Sequence, residues 1–154
     1  MIMKKADVGK KFKSRSPAET LDFGRACARL VKNTAVFALS GELGAGKTTF
    51  VKGFLKELGV KKEALSPTFT LLKQYSLSGN WKGWTAYHFD LYRLKSAQDF
   101  LNEGFGEIFK ESKSIVLIEW PERISDILPK KRIDVLFRHS GESAKIRIIE
   151  IIGL

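Results

Sequence analysis

Two short apolar runs have the length and composition of strands that are buried on both faces. Residues 35–39 and 115–118 are continuous apolar stretches, a pattern typical of parallel strands that helices cover on both sides. Gly41 bounds the first run, and apolar residues then recur at helical spacing between residues 50 and 58. The pattern therefore predicts a strand, a glycine-rich turn and a helix in succession.

Capping and turn residues mark the remaining elements. Ser16 and Pro17, followed by Glu19, are typical of a helix start, and Ser96 opens a helical stretch toward residue 109. Strands are predicted near residues 10–14, at 69–77 and 84–89, and in an antiparallel C-terminal hairpin of residues 133–137 and 144–152, added to the sheet edge. No repeat or low-complexity linker divides the chain, so we predict one α/β domain over residues 1–154, with a mixed sheet.

Length and cysteine content limit the class of protein. A chain of 154 residues is long enough for one hydrophobic core. Its longest apolar run is five residues, far below the ~20 residues that a membrane helix needs. The single cysteine, Cys27, allows no internal disulfide and no zinc cluster of several cysteines, and its place on a helix predicts a core residue. We therefore expect a cytoplasmic protein without a membrane segment.

The charge is strongly basic and unevenly distributed. The formal net charge is +10, and residues 1–15 carry six basic residues against one aspartate. Such a segment can contact RNA, an acidic protein or a phosphorylated ligand, or it can simply keep the protein soluble. Composition alone leaves these interpretations open.

The glycine-rich turn carries a phosphate-binding motif. Residues 41–48 read Gly-Glu-Leu-Gly-Ala-Gly-Lys-Thr and match G-x-x-x-x-G-K-[ST] between the predicted strand and helix. In this motif backbone N–H groups and a helix N-terminus surround a polyphosphate, the lysine reaches the β- and γ-phosphates, and the hydroxyl binds Mg²⁺. We predict a nucleotide site made by Gly44, Ala45, Gly46, Lys47, Thr48 and Thr49.

Two acidic residues stand where a P-loop protein needs them. Glu119 directly follows the second buried run, in the position of a Walker B acid, and Asp90 closes the strand at residues 84–89. Acids at strand ends can bind the metal or orient the attacking water. We therefore predict that Thr48 and Glu119 hold Mg²⁺ and that Asp90 is catalytic together with Lys47.

Three further residues carry weaker signals. Thr68 lies on a proline-stiffened loop, in the chain order where switch threonines sense a γ-phosphate, and is a third candidate catalytic residue. His88, within a strand, is predicted to be a structural hydrogen-bonding residue rather than a general base. Trp120 follows Glu119 and is either a core residue or a neighbour of the nucleotide.

Four motifs together resemble those of the TsaE family, small bacterial P-loop ATPases required for threonylcarbamoyladenosine modification of tRNA. The motifs are Gly-Glu-Leu-Gly-Ala-Gly-Lys-Thr-Thr at 41–49, Ser-Pro-Thr-Phe at 66–69, His-Phe-Asp-Leu-Tyr-Arg at 88–93 and Ile-Glu-Trp-Pro-Glu at 118–122. The resemblance implies a P-loop NTPase-like three-layer domain with a mixed, mostly parallel sheet, and it implies ATP hydrolysis with Mg²⁺. It assigns the metal to Thr48 and Glu119, a switch-like role to Thr68, an essential role to Asp90 and a place near the nucleotide to Trp120.

The resemblance also implies partners. Proteins of this family act with the two proteins that form a threonylcarbamoyl-transfer complex, and their nucleotide cycle resets or regulates that complex between turnovers. Contact with tRNA is then expected to be indirect. The chain departs from the family in the segment Gly-Asn-Trp-Lys-Gly-Trp at residues 79–84 and in its basic N-terminus.

Two other functions compete with this interpretation. A small-molecule kinase could use the same P-loop, although a kinase is expected to have an arginine-bearing lid, and Arg93 and Arg123 are the arginines available between the P-loop and residue 131. A binding module that does not hydrolyse its nucleotide is the other possibility, and the pair of Asp90 and Glu119 argues against it. Comparing ADP formation with and without small acceptors would separate the three.

Overall fold

The computed structural model describes residue 7 and residues 9–62, 64, 67 and 70–154. Its strands are β1 (Lys11–Ser14), β2 (Ala35–Ser40), β3 (Leu72–Ser76), β4 (Thr85–Asp90), β5 (Ser114–Glu119), β6 (Ile133–Ser140) and β7 (Ser143–Ile152). Its α-helices are α1 (Pro17–Ala28), α2 (Lys47–Glu57) and α3 (Ala97–Asn102). Short 3-10 helices lie at Gly79–Trp81, Phe105–Lys110 and Pro121–Ile127.

The strands form one mixed sheet in the order β1-β7-β6-β2-β5-β4-β3. The three central pairs, β6–β2, β2–β5 and β5–β4, are parallel, and the outer pairs are antiparallel. The predicted mixed sheet and C-terminal hairpin, β6–β7, are therefore confirmed. The hairpin is not the edge of the sheet, because β1 pairs with β7 outside it.

Helical elements cover the sheet on both faces and make three layers. Successive strand residues point to opposite faces, so Phe37 and Leu117 join the core with α1 and α2, whereas Val36 and Val116 join the core with α3 and the 3-10 helices. The prediction that a helix reaches residue 109 is wrong in the length of the helix. Helix α3 ends at Asn102, because Gly104 takes a left-handed φ of 78° and a 3-10 helix follows. Within the described ranges, no helix is long and apolar enough to cross a membrane.

Helix α1 begins as its sequence predicts and buries the cysteine. The Ser16 hydroxyl caps the helix by accepting from the Glu19 N–H at 3.1 Å, which satisfies one of the free donors of the first turn. Cys27 is fully buried, and burial raises the pKa of its thiol far above the ordinary range. Cys27 is therefore a core residue, since a neutral buried thiol is a poor nucleophile.

Two glycines allow α1 and α2 to pack backbone against backbone. A Cβ atom on Gly24 would lie 2.2 Å from the Phe50 carbonyl oxygen, and one on Gly53 would lie 2.0 Å from that of Leu21. Side chains cannot relieve such contacts, because both partners are backbone atoms. The close crossing holds α2 against α1.

We expect Gly53→Ala to lower the free energy of unfolding by about 3 kcal/mol, because the new methyl group forces the two helices apart. Urea denaturation followed by circular dichroism measures this change. Gly141→Ala is the matched control, since a Cβ atom there meets no atom within 4 Å. Equal stability of the two variants would contradict the close helix crossing.

Candidate nucleotide-binding site

The loop between β2 and α2 is shaped by glycines whose conformations other residues rarely adopt. Gly41 has φ of +154°, and a Cβ atom on it would lie 2.6 Å from the Phe137 carbonyl oxygen. Gly46 precedes α2 with φ of +102°. These two glycines turn the chain sharply from the end of β2 into α2, and the free N–H groups of the first helical turn face the cleft that the loop borders.

A cleft of about 360 Å³ lies at the carboxyl ends of the parallel strands. Its lining residues are Leu43, Gly44, Ala45, Gly46, Lys47, Thr48, Thr49, Asp90, Tyr92, Arg93, Glu119 and Trp120. Every site residue predicted from the sequence lines this cleft except Thr68, which lies outside the described residues. The structure thus brings together the loop, Asp90, and the adjacent Glu119 and Trp120 from three separate segments.

Lys47 folds back onto its own loop. Its side chain is buried, with 4% of the residue exposed, and its ammonium donates to the carbonyl oxygens of Gly41 at 2.5 Å and Glu42 at 2.9 Å. The same nitrogen lies 4.0 Å from the centre of the Trp120 ring, a cation–π contact. Burial lowers the pKa of Lys47, and the surrounding carboxylates, Glu119 foremost, oppose that shift.

Glu119 is the centre of a buried polar network. It accepts from the Thr48 hydroxyl at 2.9 Å and 3.0 Å, and its Oε1 lies 2.8 Å from His88 Nε2. His88 Nδ1 is buried without a hydrogen-bond partner among the described residues, which places the proton of the neutral ring on Nε2, where it can donate to Glu119. His88 is therefore a structural hydrogen-bonding residue, as predicted, and the group that it orients belongs to the site.

Strand register explains why these side chains meet. Asp90 lies beside Glu119 in the parallel pair of β4 and β5, and His88, two residues before Asp90, shares its face of the sheet. Asp90 Oδ1 accepts from the Tyr92 N–H at 3.1 Å, which turns the chain at the end of β4. Both carboxylates thus point toward the side of the sheet from which α2 starts.

The pair of Thr48 and Glu119 fits a magnesium ion. Their oxygen atoms already lie within hydrogen-bond distance of each other, and oxygen is the ligand atom that Mg²⁺ prefers. Within the part of the chain that the structure describes, no group of three or more His, Cys, Asp or Glu side chains is placed to hold a metal. A magnesium ion here would take its other ligands from phosphate and water, as Mg²⁺ commonly does.

Trp120 is held in a strained conformation above the loop. It has φ of 62°, a left-handed conformation that costs a non-glycine residue about 1–3 kcal/mol. Its backbone N–H donates to the Leu39 carbonyl oxygen at 3.3 Å, and the centre of its ring lies 4.9 Å from that of the Tyr92 ring. This conformation places the indole over the Lys47 ammonium, and the residue also packs against the core on the α3 side of the sheet.

Sequence reasoning missed several residues of the cleft. Leu43 is within the motif but was not singled out, and Tyr92 and Arg93 follow Asp90 directly at the same edge of the sheet. One signal could have found Tyr92 and Arg93, because residues just after a strand-end acid remain near it.

Comparison with known proteins decides the family. A family model described as "Threonylcarbamoyl adenosine biosynthesis protein TsaE" matches residues 14–148. The chain belongs to the TsaE family. This membership confirms the resemblance seen in the four motifs and implies a P-loop NTPase-like protein.

Individual TsaE relatives match over most of their length. The tRNA threonylcarbamoyladenosine biosynthesis protein TsaE of Bacillus subtilis is 35% identical over 135 residues, which cover 88% of this chain and 81% of the relative. The TsaE protein of Treponema pallidum is 40% identical over 125 residues, covering 81% and 88%. The crystal structure of Bacillus subtilis YdiB superposes with a TM-score of 0.72 at 30% identity, covering 94% of this chain and 85% of that one.

Proposed function

We propose that this protein binds ATP and Mg²⁺ in the cleft at the P-loop and hydrolyses ATP in support of the threonylcarbamoyladenosine modification of tRNA. The observation that carries the proposal is the contact between Thr48, at the start of α2, and Glu119, at the end of β5, beside Asp90. A P-loop that only capped a helix would not need two buried carboxylates at its open side. The names of the relatives supply the biological process.

Each group of residues in the cleft has a different role in the proposed ATP hydrolysis. The α2 N-terminus and Lys47 stabilise negative charge on the phosphates, after the ammonium exchanges its loop carbonyls for phosphate oxygens. Thr48 and Glu119 would hold Mg²⁺, which would supply positive charge to stabilise the phosphate oxygens. Asp90 orients water, and Trp120 offers a flat apolar face beside the nucleotide.

Hydrolysis by this chain is proposed to serve a partner complex of two proteins that transfers the threonylcarbamoyl group, with tRNA bound to that complex. The cleft of about 360 Å³ is near the lower limit of the volumes of ligand sites. The loop, the carboxylates and the tryptophan that line it would all contact one nucleotide, which leaves no room for a second substrate. ATP hydrolysis would therefore drive a conformational change in a partner protein and not a reaction of a second substrate in this cleft. We expect slow turnover by the chain alone.

The test compares ADP formation by the isolated chain with that in the presence of the two transfer proteins, with and without tRNA. We expect the partners to raise the rate at least about tenfold. A maximal rate for the chain alone would contradict partner dependence. ADP formation that requires an added small hydroxyl compound would replace the proposal with the kinase alternative.

Asp90→Asn is expected to lower turnover about tenfold or more while the affinity for ATP changes less than about threefold. The amide keeps the oxygen that accepts from the Tyr92 N–H, so the turn after β4 is retained and mainly the charge is lost. Single-turnover rates and calorimetric titration with magnesium and a non-hydrolysable ATP analogue separate the two quantities. Asp126→Asn, an exposed acid outside the cleft, is the control, and equal turnover in both variants would exclude Asp90 from catalysis.

A further inference from the structure

A second cleft, of about 420 Å³, lies at the other end of the sheet from the P-loop. It is lined by Ala28, Arg29, Val31, Lys32, Glu57, Asn80, Trp81 and Trp84, and we call it the two-tryptophan cleft. Trp84 directly precedes β4, whereas Asp90 of the nucleotide site ends it. Six strand residues separate the two ends, about 20 Å at the usual rise per residue. The two clefts are therefore separate sites.

Hydrogen bonds and a contact between the two indole rings hold Trp81 and Trp84 of the segment at residues 79–84 in place. The Ser78 hydroxyl donates to the Gly59 carbonyl at 2.7 Å, which ties the segment to the end of α2. The backbone N–H of Trp84 donates to the Trp81 carbonyl oxygen at 3.0 Å, and the two rings pack edge to face with their centres 4.9 Å apart. Both tryptophans are half-buried, so each contributes to the core and also lines the cleft.

The charge around the two-tryptophan cleft is positive. Glu57, the acidic residue of its lining, is engaged by Arg29 at 2.7 Å and Arg25 at 3.0 Å, and these hydrogen bonds hold the pKa of Glu57 below its usual range. Lys32 and Lys82 are exposed beside it. A neighbouring cleft on the other side of the α2 C-terminus adds four lysines, Lys52, Lys56, Lys61 and Lys62.

The basic N-terminal segment has a different character. There Lys13 pairs with Glu142 and Lys10 pairs with Asp7, so two of its described cations already face carboxylates. The α1–α2 side of the molecule thus offers a positive surface that also carries aromatic rings.

We infer that the two-tryptophan cleft binds single-stranded RNA directly. Aromatic rings on which bases stack, surrounded by cations that contact phosphates, are the usual means of binding single strands without sequence preference. Lys32, in the lining, and Lys82, between the two tryptophans in the chain, supply exposed cations, whereas Arg29 is already engaged by Glu57. An acidic protein segment would use the same cations but would gain little from Trp81 and Trp84, which is why RNA is favoured. The inference goes beyond the proposed ATPase and does not depend on it.

The test is fluorescence anisotropy with a labelled 12-nucleotide oligouridine at low salt, in the presence of saturating Mg·ADP so that bases cannot enter the P-loop cleft. We expect Trp81→Ala to weaken binding about tenfold and Trp81→Phe to restore most of that loss. Lys32→Ser should weaken binding and reduce the salt slope by about 0.7, the value for one phosphate contact on a single strand. Lys145→Ser, an exposed lysine on β7, is the control of equal charge and should bind as the unmodified chain does.

Three results would overturn the inference. Loss of binding in Lys32→Ser with full binding in Trp81→Ala, and displacement of the RNA by oligoglutamate, would indicate a surface for an acidic protein. Binding that Mg·ADP abolishes would place the RNA in the P-loop cleft. If Trp81→Ala does not fold, crosslinking of a 4-thiouridine oligonucleotide to the unmodified chain decides the matter: crosslinks within residues 79–84 support the inference, and their absence there contradicts it.

Discussion

Lys47→Ala is expected to weaken binding of Mg·ATP at least about 100-fold, roughly 2.7 kcal/mol, and to abolish useful turnover. Two charge-assisted hydrogen bonds to phosphate oxygens account for a loss of that size. In the structure the ammonium donates to the carbonyl oxygens of Gly41 and Glu42, and we expect it to leave them for the phosphates when ATP binds. Isothermal titration with Mg·ATP or a non-hydrolysable analogue measures the change in affinity.

The fold should survive this substitution. Alanine is a good residue at the first position of α2, and removal of a buried ammonium relieves part of its desolvation, so we expect stability to change by no more than about 1 kcal/mol. Lys56→Ala, an exposed lysine on the same helix, is the matched control and should bind ATP normally. Unchanged affinity in a folded Lys47→Ala protein would reject the P-loop assignment.

The parts of the site that follow local rules could be predicted from the sequence. The loop motif depends on glycine conformations and on a strand and helix next to it, all of which leave a clear pattern. Asp90 and Glu119 were each expected at the site because each ends a strand, and the parallel pairing of β4 with β5 then places them side by side. The family motifs then pointed to the same residues independently.

Other features depend on contacts between distant segments and leave little trace in the pattern. The ammonium of Lys47 rests on its own loop and beneath Trp120, and this arrangement requires the positive φ of Trp120. The hydrogen bond from His88 to Glu119 depends on the register of β4 and β5. The β6–β7 hairpin was predicted to form the edge of the sheet, but β1 pairs with β7 outside it. The free backbone N–H and C=O groups of an edge strand can pair with another strand, and the pattern of a single segment does not show which one.

Glu119→Gln is expected to raise the Mg²⁺ concentration needed for half-maximal nucleotide binding about tenfold or more and to lower turnover about 100-fold. The amide has nearly the shape of the carboxylate and keeps one oxygen for the hydrogen bonds from Thr48 and His88, so the buried network is largely retained. The negative charge that would attract Mg²⁺ is lost.

Two measurements distinguish a metal site from a merely structural acid. Titration of Mg²⁺ at fixed nucleotide, followed by tryptophan fluorescence in a Trp81→Phe, Trp84→Phe background that leaves Trp120 as the reporter, measures metal-dependent binding without turnover. ATP affinity without magnesium should stay within about threefold of the original. Glu103→Gln removes the same charge from an exposed position just after α3 and should leave both curves unchanged. A normal magnesium titration in Glu119→Gln would assign this carboxylate to the support of Thr48 and His88, because only a group that helps to hold the metal shifts the magnesium curve while leaving magnesium-free binding in place.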